Sequence, residues 1–284
     1  MQPLKLGKIE IANIVELDIP TSPRFLFPGI APADFAPHLQ WLSPHFYDPA
    51  VDRLRMPIQG FIVRTPHHTL IVDTCIGNDK HLLTEGWGGR NGPFLDDLKR
   101  LGVTPDQVDF VLCTHLHTDH AGWNTRLVNG RWEPTFPNAT YVFSRAESEH
   151  WSHAKDDEQA LVYRESVLPI LEAGKAMLVD GEHEVTEGIR LEPTPGHTPG
   201  HTSVRLASAG KEAVITGDLI VHPVEVAEPQ WGQVSDFDHA LAVDTRTRFL
   251  DAYTDRDVLV LGSHFADPTG VHIVDTPQGR RVRF

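Results

Sequence analysis

The sequence predicts an α/β (α+β) sandwich, two strand-rich halves with helices outside, on three observations. Apolar strand-like runs and helical segments follow one another as strands, helices, strands, helix and strands. The residues able to do chemistry lie just past strand ends. No internal repeat, low-complexity tract or composition break marks a boundary, so residues 1–284 read as a single domain.

Leu4 to Val15 alternates roughly and reads as a strand or hairpin. From Pro20 to Pro57 eight prolines interleave with Phe25, Phe27, Phe35, Trp41, Phe46 and Tyr47. Prolines at that density oppose continuous helix or central strand, and the aromatics oppose a disordered linker. The segment is expected to be an ordered loop, pinned by its aromatics, capping a cleft or forming a homodimer contact. Gly60–Arg64 and Thr69–Asp73 read as paired strands around a Pro66-His67-His68 turn, where both histidines are solvated. Pro93 to Leu101 reads as a helix stopped by Gly102. Asp109 to Cys113 and Thr140 to Phe143 are strands. Ser144-Arg-Ala-Glu147 has the form of a capping box opening a helix through Trp151. Gln159 to Leu171 is helical, interrupted near Pro169. Strands follow at 175–179, 189–192, 202–206, 213–216 and 258–261, the long helix at Asp236–Tyr253, and closing strands at 271–274 and 281–284.

Twenty-five Lys and Arg stand against 39 Asp and Glu, a formal net charge of −14. That balance disfavours nucleic acid, which needs a basic surface. No stretch reaches transmembrane length, and the N-terminal residues lack a signal-peptide core, so no membrane is expected and a cytoplasmic location is. Cys75 and Cys113 lie at apolar runs and read as reduced, buried thiols.

The run His115-Leu116-His117-Thr118-Asp119-His120 follows the buried strand Phe110–Cys113. His115 and His117 are two residues apart and can point the same way. Asp119 and His120 are adjacent and diverge, which suits a second metal. Pro195-Gly-His197, Thr216-Gly-Asp218 and Gly262-Ser-His264 each place a further donor after a strand end, beside glycine. Five His and two Asp suffice for two divalent metal ions. Such donors suit Zn²⁺ best among first-row metals, with Mn, Fe or Co as alternatives.

The run Thr114-His-Leu-His-Thr-Asp-His-Ala-Gly122 resembles the signature of the metallo-β-lactamase fold superfamily. Asp73 in Ile71-Val-Asp-Thr matches that family's early strand-end aspartate, and His197, Asp218 and His264 match its remaining motifs in order. The resemblance implies a four-layer αβ/βα sandwich with the metals at one edge. It implies that His115, His117 and His197 bind one metal, that Asp119, His120 and His264 bind the other, and that Asp218 bridges them. Asp73 is then expected behind the ligands, hydrogen-bonding a ligand histidine to fix its tautomer.

Within the superfamily, zinc β-lactamases of the commonest type carry cysteine where Asp218 stands. Glyoxalase II adds a C-terminal helical domain, whereas here Phe265 to Phe284 follow the last motif. The motif pattern is most similar to the N-acyl homoserine lactonase and methyl parathion hydrolase groups. The lactonases carry a tyrosine three residues after the bridging aspartate; here that residue is Val221, followed by His222. The resemblance implies a dinuclear hydrolase that cleaves lactones or related carboxyl esters through a metal-bridging hydroxide, with a phosphotriesterase as the alternative. A small-molecule ester or lactone is the expected partner. Asp119 and His222 are the candidate catalytic residues. Trp123, Trp231, Phe25 and Phe27 are the candidate pocket walls, and His201 is read as a strand-start histidine with a local hydrogen bond.

Overall fold

The computed structural model describes residues 3–155 and 157–284, so the first two residues of the N-terminal segment read above lie outside the description. Two compact units divide the chain: Gln2–Glu16 with Ile58–His183, and Leu17–Pro57 with Glu184–Phe284. Each is built on its own seven-stranded sheet.

The first unit's sheet runs in the order Leu4–Leu6, Ile9–Asp18, Pro57–Arg64, Thr69–Val72, Phe110–Leu112, Thr140–Ser144, Ala176–Val179. The first two strands form a hairpin with Leu4 opposite Ile11. The last four are parallel, with Ile71 opposite Val111, Tyr141 opposite Val111, and Tyr141 opposite Ala176. Parallel strands are covered on both faces and therefore read as continuous apolar runs. That is why Leu70, Ile71, Val72, Val111, Leu112, Tyr141, Val142 and Phe143 are all fully buried. Their C-terminal ends release the chain at Asp73 and at Cys113, where the motif begins.

The second unit's sheet runs His183–Thr186, Ile189–Pro193, Thr202–Ser208, Lys211–Ile215, Val258–Leu261, Gly270–Val274, Arg281–Arg283. From Ile189–Pro193 onward it is antiparallel except where Lys211–Ile215 pairs with Val258–Leu261. Asp218 and His264 follow those two parallel strands, and His197 lies in the connection before Thr202.

The Pro20–Pro57 segment is ordered, as expected, but it is not a plain loop. It folds into short helical turns at Pro23–Leu26, Pro32–Phe35, Ala36–His38 and Leu39–Leu42, and a two-residue ladder, Tyr47–Asp48 with Arg53–Leu54. Pro23 and Pro32 occupy first helical positions, where a missing N–H costs nothing. Phe27, Phe35, Phe46 and Tyr47 join one core cluster with Val214, Val260, Phe249, Leu250, Val271 and Ile273. Each such ring contributes roughly 1.5–3 kcal/mol when fully buried.

Other differences are local. Ser144 stands at the helix N-cap without a side-chain cap bond. Glu147 is buried and accepts instead from the Leu116 N–H at 3.1 Å and from Trp151 Nε1 at 2.7 Å. The last long helix is His239–Tyr253, three residues shorter than expected. Asp238 caps it, accepting from the Leu241 N–H at 3.0 Å. A hairpin, Thr125–Val128 with Arg131–Pro134, and a π-helical turn at Tyr163–Val167 went unread in the sequence. Among the described residues no helix is long and apolar enough to cross a membrane. Both cysteines are free and buried.

Candidate metal centre

In the first unit the motif leaves the strand Phe110–Leu112 and turns into the short helix Thr118–Ala121, with His117 at its N-cap. Gly122 closes that turn against Cys75 and Ile76. A Cβ at Gly122 would lie 1.8 Å from the Ile76 carbonyl oxygen, so only glycine fits. Asp73 is fully buried and held at a left-handed φ of 59°, an uncommon conformation for a non-glycine residue. Its carboxylate accepts from the Thr114 N–H at 2.8 Å, from Thr114 Oγ1 at 2.9 Å and from His120 Nδ1 at 2.9 Å. Because the Thr114 hydroxyl donates to Asp73, its oxygen is the acceptor for His115 Nδ1 at 3.1 Å. Both histidines are thus anchored at Nδ1, which assigns the lone pair to Nε2. His115 Nε2 faces His117 Nδ1 at 3.0 Å, and His120 Nε2 faces an Asp119 oxygen at 3.8 Å.

The second unit repeats the arrangement. His197 Nδ1 donates to Asp236 at 3.2 Å, and His264 Nδ1 donates to the Pro57 carbonyl at 2.8 Å. Their Nε2 atoms face the two oxygens of one carboxylate, Asp218, at 3.4 and 3.3 Å. His201, fully buried, is the local structural residue expected. Its Nε2 accepts from the Asp218 N–H at 3.0 Å while Nδ1 meets Thr194 Oγ1 at 2.8 Å, fixing the loop that carries Asp218. Gly196, at φ +135°, lies where a Cβ would meet the Ala242 backbone nitrogen at 2.3 Å, so the turn before His197 packs directly on the long helix.

A divalent cation fits this donor chemistry. Every pair brings lone pairs or a carboxylate toward one another at 3.0–3.8 Å. Buried imidazoles anchored by Nδ1 to an oxygen are the usual outer support of metal ligands. His115, His120, His197 and His264 are 0–3% exposed. The first unit holds His115, His117, Asp119, His120 and Asp73 together; the second holds His197, Asp218 and His264 together.

Four sequence expectations change. His222 is not placed for catalysis. It is fully buried, Nε2 donates to the Phe46 carbonyl at 2.8 Å, and Nδ1 accepts from the Val224 N–H at 3.2 Å. Burial pushes its pKa down to about 4, so it is a neutral scaffold residue pinning the Pro20–Pro57 segment. Trp123 is buried, stacks on Phe94 at 5.1 Å and donates to Glu16 at 2.7 Å. Phe27 and Trp231 pack on each other at 5.6 Å within the core. Packing accounts for these three rings as it does not for Phe25, which is 65% exposed. Val221, at the tyrosine position of the lactonases, is buried, with its N–H bonded to Glu225 at 2.8 Å.

Sequence reasoning missed Asp236, Glu225, Gln233 and Arg246, all buried around His197 and Asp218. Asp236 was legible only as a residue of the long helix. Its partner His197 is 39 positions away, and no local pattern announces such a pair. Burial pushes the Glu225 carboxyl above its usual range, against the neighbouring Arg246.

The family model described as Metallo-beta-lactamase superfamily matches residues 55–264. An N-acyl homoserine lactonase of Bacillus sp is 29% identical over 166 residues, 53% of this chain; the match spans only 58% of that relative's length. Among solved structures, AidC, a dizinc quorum-quenching lactonase in complex with a product, superposes at TM-score 0.82 with 21% identity, over 99% of this chain and 96% of that one. AbOPH, a hydrolase in the beta lactamase superfamily, gives TM-score 0.80 with 24% identity, over 99% and 95%. These likenesses bear out the α/β fold class expected.

Proposed function

Since the chain belongs to the metallo-beta-lactamase superfamily, we propose that it is a metal-dependent hydrolase opening lactones, with N-acyl homoserine lactones as the leading substrate class. We place both units in one catalytic domain, 1–284. His115, His117 and His197 would hold one ion, Asp119, His120 and His264 the other, and Asp218 both; zinc is the ion proposed. The observation that carries the reading is the set of Nδ1-anchored histidines whose remaining nitrogens face other donors in each unit. The relatives named as lactonases support the substrate class.

When bound, the two ions supply a water acidic enough to ionise near neutral pH and a Lewis acid for the carbonyl. The protein's own part is positioning and proton transfer. Asp73, Thr114, Asp236 and the Pro57 carbonyl orient the ligand rings. Asp119, less buried than its neighbours with its side chain 14% exposed, would take the proton from the attacking water and release it to the leaving alkoxide. Val221 offers no hydroxyl there, so carbonyl polarisation does not draw on a side chain at that position. The exposed Phe25 is the one pocket candidate retained for the acyl group. Two free, buried cysteines fit a reducing compartment such as the cytoplasm.

The test pairs metal analysis with a panel of N-acyl homoserine lactones, simple γ- and δ-lactones, an aryl ester and a phosphotriester. Two ions per chain with preference for lactones supports the reading; metal with preference for the phosphotriester, or turnover of nothing, overturns it. His115→Ala and Asp218→Ala should each lose metal and at least about a thousandfold in kcat/KM, roughly 4 kcal/mol of transition-state stabilisation.

A further inference from the structure

Behind His197 and Asp218 the second unit buries a cluster of which the hydrolytic reading uses only Asp236. Arg246 is fully buried on the helix His239–Tyr253. Its Nε donates to the Leu219 carbonyl at 2.8 Å, and Nη1 to the carbonyls of Pro229 and Trp231 at 2.9 Å each. Its Nη2 lies 3.0 Å from Glu225 Oε1 and 3.8 Å from Asp236 Oδ2. One cation therefore sits between two fully buried carboxylates. Gln233 completes the cluster. Its backbone N–H donates to Asp236 Oδ2 at 2.9 Å, and its side-chain amide donates to Glu225 Oε1 at 2.9 Å and to the Asp218 carbonyl at 3.1 Å.

We propose that Arg246 is a positioning residue for this half of the metal centre. Through Asp236 it holds His197 in the Nδ1–H tautomer with Nε2 toward Asp218, and through Leu219 and Glu225 it fixes the loop that carries Asp218. A guanidinium is suited to the task because its planar fork hydrogen-bonds three backbone carbonyls while its charge faces two carboxylates, which an ammonium cannot do. A carboxylate buried without a nearby cation would be expensive. Asp236 Oδ2 accepts the Gln233 N–H at 2.9 Å and faces the Arg246 charge at 3.8 Å, a contact of charge and not a hydrogen bond, so that Oδ1 is the oxygen presented to His197. The consequence for metal affinity rests on the dinuclear reading above; the consequence for the tautomer does not.

Two readouts test this on the full chain. Zinc affinity is measured by competition with a chelating dye, and the His197 tautomer by long-range ¹H–¹⁵N correlation on the zinc-free protein. Arg246→Met is expected to weaken one of the two zinc ions about 10–100-fold, the usual effect of removing an outer support, and to give His197 a mixture of tautomers. Arg246→Lys should restore part of both. Should Arg246→Met fail to fold, the double variant Glu225→Gln/Arg246→Met, which removes a carboxylate with the guanidinium, carries the same readouts. A folded variant that keeps wild-type zinc affinity and a single Nδ1–H tautomer overturns the proposal, even if its melting temperature has dropped. Wild-type protein that binds no zinc defeats the dinuclear reading, while the tautomer of the zinc-free variants still decides the role of Arg246.

Discussion

At His222 the chemistry of a side chain is set by what both of its ring nitrogens touch. The residue stands four positions past Asp218, where the sequence offers it to the substrate. The fold instead gives Nε2 the Phe46 carbonyl and Nδ1 the Val224 N–H. With its pKa lowered from 6.5 to about 4 by burial, the folded state resists the proton that the unfolded chain accepts. Its contribution is therefore fully present above about pH 6.5 and is lost as pH falls from there toward 4, on the order of 3 kcal/mol in total. Denaturant titrations at pH 7.5 and 4.5 should show that loss in the wild type and a smaller one in His222→Phe. Metal content in His222→Phe should be unchanged at neutral pH. A matching pH slope in both proteins would contradict the assignment. The motif histidines were legible because their spacing is local and the strand before them is apolar. His222 was misread because closeness to a ligand in sequence says nothing of where a ring points.

Backbone shape at the turns decides whether the donors meet at all. The helix Thr118–Ala121 closes because Gly122 admits the Ile76 carbonyl, and the His197 turn closes because Gly196 admits the backbone at Ala242. Gly122→Ala and Gly196→Ala each require backbone to move, and each should cost more than about 2 kcal/mol. Urea midpoints with metal analysis would show it; a wild-type midpoint and full metal content in either variant would refute the packing argument. The strands were legible because parallel, doubly covered strands are uniformly apolar. The Pro20–Pro57 turns were not, since proline at a first helical position and proline in a loop look alike until the hydrogen bonds are known. Likewise Ser144 to Glu147 has the letters of a capping box, yet the Glu147 side chain is taken by Leu116 and Trp151.

For the whole molecule, stability and metal are expected to be linked. An ion bound by the folded chain alone stabilises it by about 4 kcal/mol at a thousand times its dissociation constant. Stripping zinc with a chelator should lower the melting temperature and readdition should restore it; a melting curve indifferent to chelator would mean that the folded chain does not hold the ion. The net charge of −14 makes a divalent cation a favourable guest and a polyanion an unfavourable one. At this scale the sequence was a good guide to family and fold class, because those follow from the order of motifs. It was a poor guide to the walls around them, since the same aromatic ring can close a core or open a pocket.

Asp73 and Asp236 have a consequence for the speed of metal uptake. Four imidazoles already have their rotation and tautomer settled before any ion arrives, each by an oxygen at Nδ1. The conformational entropy of ordering those ligands is lost during folding and not again at binding. Zinc capture by the folded chain should then proceed without a slow rearrangement step, its rate rising in proportion to zinc concentration in a stopped-flow experiment and reaching no plateau at low micromolar ion.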